Sequence, residues 1–541
     1  MKKIIILFLL AFQLATAQET HFTELDTIYG AYTPERAWWD LNYYHLDVEV
    51  DPKEKSLDGS VLIQYTVLET HDVMQIELQK PLEIERIMQQ GAELDYSVKG
   101  FSYFIHLTEE QKPGEVNELK VYYSGVPHES TNPPWSGGIT WSKDENGNPF
   151  VASSCQGDGP SIWWPCKDHP KDEVDSVLIS VTVPEDLMDV SNGRLRGIDE
   201  NTDGTRTFHW FVGSPINHYG ININVGDYVH FDEVYNGEKG ELDCDYYVLR
   251  DNLEKAKVQF QQVPKMLDAF EHWFGPYPFY EDGFKLVEAP YLGMEHQSSV
   301  TYGNGYENGY RGSDLSGSGW GLKFDYIIIH EAGHEWFANN ITYADVADMW
   351  IHESFTTYSE NLYLDYHFGK EASSEYVLGM RSSIVNDGPI IGKYGVDQEG
   401  SRDMYFKGAN ILHTLRQIVN DDEKWREVLR GLNKEFYHQT VTTQEVEAFI
   451  NDQIKVDLTS FFDQYLRDYR IPIFSYRIHD GNLMYKYDNV VPGFGMPIRL
   501  IQGEDEIWLD DASTRWQSIP LEGEFEVDPN FYVASFNLTG D

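Results

Sequence analysis

The sequence predicts three successive units: a β-sandwich-like domain, a mostly α-helical domain and a small β-sandwich-like domain. Three observations predict it. Apolar residues alternate with period two from about residue 23 to 234, recur with a helical period from about 253 to 468, and return to period two after 472. Strict alternation marks half-buried strands, and a recurrence near 3.6 marks helices. At 541 residues the chain is longer than one hydrophobic core supports, and its 41% hydrophobic residues supply material for several. The expected segments are 1–17, 18–235, 236–470 and 471–541.

The first segment reads as a signal peptide. Lys2 and Lys3 precede an apolar run from Ile4 to Leu14, and Ala15-Thr16-Ala17 has the small-residue pattern of a cleavage site. No later run approaches the roughly 20 apolar residues of a membrane-spanning helix. The expectation is an exported protein, periplasmic or extracellular, without a transmembrane segment. A formal net charge of −48 repels nucleic acid and anionic membranes. The acids are spread along the chain, so the charge alone does not identify a substrate. The oligomeric state is not legible. Of three cysteines, Cys155 and Cys166 are close enough in sequence to bridge, but sequence does not fix the geometry a disulfide needs.

In the second segment, Tyr44, Leu46, Val48 and Val50 alternate with polar residues. Strand patterns follow at 61–67, 74–78, 119–123, 177–183 and 221–225. The helical domain opens with an amphipathic stretch from Lys255 to Phe274, stopped by Gly275-Pro276. Helical patterns also cover 407–419, 423–437 and 443–453, and the Gly- and Ser-rich stretch from Tyr302 to Gly321 reads as a loop. Strands at 474–478, 484–487 and 498–501 form the last domain.

The helical domain carries the chemistry. His330-Glu331-Ala332-Gly333-His334 has the H-E-x-x-H pattern. Residues four apart share a helix face, so both imidazoles can reach one metal ion. A hydrolytic zinc site takes three protein ligands and keeps one position for water, and Glu353, on a second candidate helix between Trp350 and Phe355, is the third candidate. Glu331 is placed to act on the water as general base. The apolar run Tyr326-Ile327-Ile328-Ile329 before the motif predicts burial, where adjacent ionisable residues are costly without a partner. The competing reading is a chance motif with core histidines.

The flanks decide between them. HEWFANNIT and MWIHESFTTYSE resemble the H-x-W-F-G-N-x-V-T and W-L-N-E-G-F-A-x-Y-x-E segments of the M1 (aminopeptidase N-like) gluzincin zinc peptidases. The resemblance implies an amino-terminal saddle domain, a thermolysin-like catalytic domain and one Zn²⁺ per chain on His330, His334 and Glu353. Gly293-Met294-Glu295-His296 resembles the family's G-x-M-E-N motif, with Leu292 for a Gly and His296 for the Asn. The resemblance gives Glu295 the role of binding the substrate's free amino group. Met404 to Ala409 resembles the Y-x-K-G-A segment, which makes Tyr405 the donor to the oxyanion. Ser154-Cys155-Gln156 resembles Q-C-Q, and Gln156 matches a residue that helps bind the amino end; a loop-capping amide is its other reading. Ser161 stands where the family has an Arg. Asp348, Glu335 and Asn339 are candidates for supporting the ligands.

The function expected is that of a zinc aminopeptidase removing N-terminal residues from peptides with a free N-terminus. A zinc endopeptidase would keep the metal site without needing Glu295. A non-catalytic peptide-binding relative would need neither Glu331 nor Tyr405. Epoxide hydrolysis, a side activity known in the family, is left open by these residues.

Overall fold

The computed structural model describes residues 22–521 and 523–538; the signal-peptide reading lies outside them. Two hydrophobic cores organise the chain. One gathers the strands of the first domain, and the other runs through the helical domain into the carboxy-terminal strands.

The first domain is built on an eight-stranded sheet. At its centre, Trp39–Asp51 pairs antiparallel with Ser56–Val67 and parallel with Ser176–Pro184. Leu46, Val48 and Val50 are buried, as their alternation predicts. Smaller sheets of four and three strands complete the domain. The 221–225 pattern follows the 3₁₀ turn His218–Gly220 and is a strand only from Ile223. Before the first strand, the short helix Glu24–Gly30 is tied down by Arg36, whose Nη1 donates to the carbonyls of Ile28, Tyr29 and Ala31 at 2.7–3.0 Å. Arg36 is fully buried and pairs with buried Glu77 at 2.7 Å. This amino-terminal segment reaches the helical domain: Asp397 N donates to Asp26 O, and the Lys393 ammonium lies 4.2 Å from the centre of the Phe22 ring.

The strand Tyr228–Gly237, which a boundary at 235/236 would cut, pairs with Gly240–Leu249 in a five-stranded sheet that includes Phe284–Glu288, Gly293–Met294 and Val300–Tyr302. The hairpin therefore joins the sheet of the helical domain, while Tyr228, Tyr247 and Leu249 pack in the first domain's core. Its alternation is continuous with that of the first domain, so periodicity could not separate them. The 255–274 stretch is two helices, Leu253–Gln259 and Val263–Phe274, because Pro264 suits the first turn of a new helix and not the interior of an old one. The carboxy-terminal strands Ile473–His479, Asn482–Asp488 and Ile498–Gln502 form small sheets whose buried residues join the catalytic core. No helix among the described residues is long and apolar enough to cross a membrane. The three cysteines are buried and unbridged.

Candidate metal centre and substrate cleft

The helix Tyr326–Gly333 starts where Asp325 caps it, accepting from the amides of Ile327 and Ile328. Three further donors, Tyr302, Asn304 and Gln259, hold the Asp325 carboxylate at 2.7–2.8 Å. The helix stops at His334, whose backbone remains right-handed, so the i, i+4 relation to His330 survives. The chain then breaks at Phe337 and Ala338. That break turns the Phe337 carbonyl to His334, 3.0 Å from Nδ1, and the Thr356 hydroxyl lies at the same distance. His330 Nδ1 meets the Glu360 carboxylate at 2.8 Å. Both imidazoles thus have Nδ1 engaged, which leaves Nε2 for a metal.

The third donor comes from the buried helix Trp350–Phe368. Glu353 Oε2 lies 3.8 Å from His330 Nε2 and 3.5 Å from His334 Nε2. Ligand atoms about 2.0–2.2 Å from a tetrahedral zinc stand roughly 3.2–3.6 Å apart. Glu353 Oε2 is buried with no hydrogen-bond partner among the described residues, a costly state that a cation relieves. Glu295, Glu331 and His334 also lie within metal-binding distance of one another, but Glu295 Oε1 already accepts from Gln156 at 2.6 Å. The His330, His334 and Glu353 set therefore fits zinc best. Burial pushes His334 down to about 4, which keeps it a neutral lone-pair donor. Burial opposes charge on Glu353, but the two histidines outweigh it and hold the carboxyl near 2.

Glu331 borders the same cavity. Burial, with Glu353 and Glu360 nearby, pushes it up to about 7 against the pull of His330. Glu295 follows the short strand Gly293–Met294, which pairs with Val300–Tyr302. Burial, then Glu331 and Glu353, raise its pKa well above the carboxylate range. Gly293 has to be small: a Cβ there would meet Ile327 Cγ2 at 2.6 Å and Glu331 Cγ at 3.1 Å. Met294 borders the cavity and is seated in the first domain's core. His296 is buried, held neutral by burial at about 3, and faces the Thr301 hydroxyl at 3.4 Å; it brings no charge to Glu295.

Gln156 reaches in from the first domain. Its amide donates to Glu295 at 2.6 Å and to Glu353 Oε1 at 3.1 Å, so it sits in the site and does not cap its own loop. Tyr405 precedes the helix Phe406–Val419, with its ring 6.3 Å from that of His330. Burial and the nearby Glu353 raise its pKa well above 10, so the phenol stays a donor. Gly408 lets that helix approach: a Cβ would fall 2.0 Å from Ser354 Oγ. The two histidines, Glu353, Glu331, Glu295, Gln156 and Tyr405 line one open cavity of about 530 Å³.

The three supporting candidates bond elsewhere. Asp348 binds Tyr394 and Thr443, Glu335 accepts from Ser298 N, and Asn339 donates to the Glu295 carbonyl. The side chains that hydrogen-bond the ligand imidazoles, Glu360 and Thr356, are not among the sequence candidates. Glu360 lies seven residues beyond Glu353, two turns along one helix face, and that spacing was the available signal.

The comparisons with known proteins agree with this geometry. The Peptidase M1 N-terminal domain matches residues 41–218 and the Peptidase family M1 domain matches 258–465, together more than half of the chain. The chain is 23% identical to leukotriene A-4 hydrolase of Xenopus laevis over 78% of its own length and 69% of that protein's. To probable aminopeptidase 1 of Sulfurisphaera tokodaii it is 21% identical over 82% of its length. It spans only 55% of that aminopeptidase and 40% of aminopeptidase M1 of Arabidopsis thaliana. The fold matches an M1 zinc metallopeptidase of Deinococcus radiodurans bound to a Tyr-Ser-Ala substrate, with a TM-score of 0.69, 21% identity and coverage of 81% of this chain and 96% of that one. Two domain matches in their family order, over a fold that unites two histidines, a downstream glutamate and a carboxylate beside them, place this chain in peptidase family M1.

Proposed function

We propose that the protein is a zinc-dependent aminopeptidase acting on peptides with a free N-terminus. One observation carries the reading: Glu295, a buried carboxylate with no Lys or Arg partner among the described residues, opens into the same cavity as the His330, His334 and Glu353 set and Glu331. An endopeptidase has no use for such a carboxylate beside the reacting bond. A substrate ammonium fits it and would be fixed one residue from the bond to be cut.

His330, His334 and Glu353 would hold the zinc. When bound, zinc supplies Lewis acidity, polarising the scissile carbonyl and acidifying a water. The chain's own residues do the rest. Glu295, oriented by the Gln156 amide, binds the substrate ammonium. Glu331 takes the proton of the attacking water and passes it to the leaving nitrogen. Tyr405 donates its phenolic hydrogen to the oxyanion. Relatives named as aminopeptidases support the assignment.

The test is kcat/KM on a matched pair of free and N-acetylated substrates, with and without chelator. Cleavage confined to the free amine and lost with the metal supports the proposal. Efficient cleavage of the acetylated partner would make the protein an endopeptidase, and metal binding without turnover would make it a peptide-binding relative.

Export is part of the proposal. Its support is Lys2 and Lys3, the apolar run after them and Ala15-Thr16-Ala17. Amino-terminal sequencing of the native protein should begin at residue 18, and a retained Met1 would overturn it.

A further inference from the structure

The cleft has an apolar side that the chemistry above does not use. Gly293 and Ile327 lie beside Glu331, and Leu292, Tyr310 and Trp135 line the same cavity. Aromatic contacts link it to the metal helix: Tyr326 stacks on His330 at 5.1 Å, Tyr310 meets the Tyr326 ring edge-on at 5.3 Å, and the Arg311 guanidinium lies 5.9 Å from the centre of the Trp135 ring. Elsewhere the lining mixes polar and charged residues, Asp158, Asp397, Gln398, Glu399 and Arg402, with Pro134, Val346 and Met349.

Trp135 belongs to the first domain and leaves 49% of its surface exposed. Most indoles in this chain are buried, and a half-bare one at a cleft mouth costs apolar exposure that a ligand can relieve. Its loop is built to hold it. Ser136 Oγ accepts from the amides of Thr131 and Asn132 at 3.1 and 2.8 Å, and Ser130 Oγ donates to the Ser136 carbonyl at 2.5 Å. Gly137 N donates to the Asp158 carboxylate at 2.5 Å, fastening the loop to the turn that carries Gln156.

We propose that Trp135, with Leu292 and Tyr310, forms the subsite for the side chain of the substrate's second residue and selects aromatic and long aliphatic side chains there. This rests on the aminopeptidase reading, which fixes the direction of the peptide. Glu295 holds the first residue's ammonium. Glu331 returns its proton to the nitrogen of the second residue, so that residue lies beside Glu331, next to Gly293, where a Cβ would come within 3.1 Å of Glu331. An apolar side chain placed there covers the indole face and displaces water from it.

The experiment compares Ala-Phe-Ala with Ala-Gly-Ala on the zinc-loaded wild type, Trp135→Ala and Trp135→Phe. The wild-type kcat/KM ratio should favour the Phe peptide by roughly 30-fold, Trp135→Ala should lower that ratio about tenfold, and Trp135→Phe should restore most of it. A wild-type ratio near one, or a ratio unchanged in Trp135→Ala, overturns the proposal. Titration calorimetry of the same peptides on zinc-loaded Glu331→Gln, with and without Trp135→Ala, gives the corresponding Kd ratio without turnover. If the wild type cleaves neither peptide, the aminopeptidase reading fails by itself, and the Kd ratio still decides whether Trp135 reads the second side chain.

Discussion

Glu360 is the most exacting test of the metal centre, because it touches the zinc only through another residue. Its carboxylate is fully buried and accepts two hydrogen bonds, from His330 Nδ1 at 2.8 Å and from the Tyr376 hydroxyl at 2.5 Å. Glu360→Gln keeps the size but removes the charge and offers one oxygen for two donors. One donor then faces an amide NH₂, a buried mismatch worth about 1–3 kcal/mol. Part of that cost falls on the orientation and basicity of His330, so zinc affinity should drop roughly 10- to 100-fold, or about 1.4–2.7 kcal/mol. Tyr376→Phe separates the two bonds: it removes one donor and leaves the imidazole held, so it should lower affinity less than tenfold. The assay is competition against a chromogenic chelator, with apo and zinc-loaded melting temperatures as a control on folding. If Glu360→Gln bound zinc within twofold of wild type, the His330–Glu360 bond would not position the ligand. If Tyr376→Phe lost as much as Glu360→Gln, the loss would belong to local packing.

Other outcomes follow from the same geometry. Glu331→Gln should retain stoichiometric zinc by elemental analysis yet lose several orders of magnitude in kcat; near-normal turnover would remove it from the base role. Tyr405→Phe should cost about 10²–10³-fold in kcat, the usual size for one oxyanion donor, and a change seen only in KM would argue against the assignment. Glu295→Ala should cost roughly 30- to 1,000-fold in kcat/KM on a free-amine substrate, with no further loss on its acetylated partner; equal losses would make it structural. Arg36→Ala leaves Glu77 buried without its cation, while Gln75, Ser102 and the Asp168 amide still donate to it. The loss in urea unfolding should be about 3 kcal/mol, the low end for breaking a buried pair.

Much of the centre was legible in the sequence because helical geometry reduces it to spacing. His330 and His334 four apart, and Glu353 on a second apolar helix, need no tertiary information beyond one helix packing on another. Glu295, Gln156 and Tyr405 were legible only through family resemblance, since the structure brings them in from a strand end, a first-domain turn and a helix start. Asn339 and Glu335 looked like ligand supports by proximity in sequence. Glu335, before the break at Phe337 and Ala338, accepts from Ser298 N, and Asn339, after it, donates to the Glu295 carbonyl, partners that no local pattern encodes. The same limit explains the domain boundary: Tyr228–Gly237 alternates like the strands before it, and only its pairing partner reveals its domain. Trp135 was silent for a further reason, since a lone aromatic in a Pro- and Gly-rich loop has no periodicity to read.

The helix Glu24–Gly30 lies far from the zinc ligands in sequence, yet it backs the turn at Val396 and Asp397 that forms part of the cleft wall. This matters to anyone producing the protein. A recombinant chain begun at the first strand, Trp39, would look complete by sheet topology but would lack both Arg36, the cation of Glu77, and the backing of that turn. A purification handle or fusion partner on the amino-terminal side should therefore be joined ahead of Phe22, where the first described contact with the catalytic domain is made.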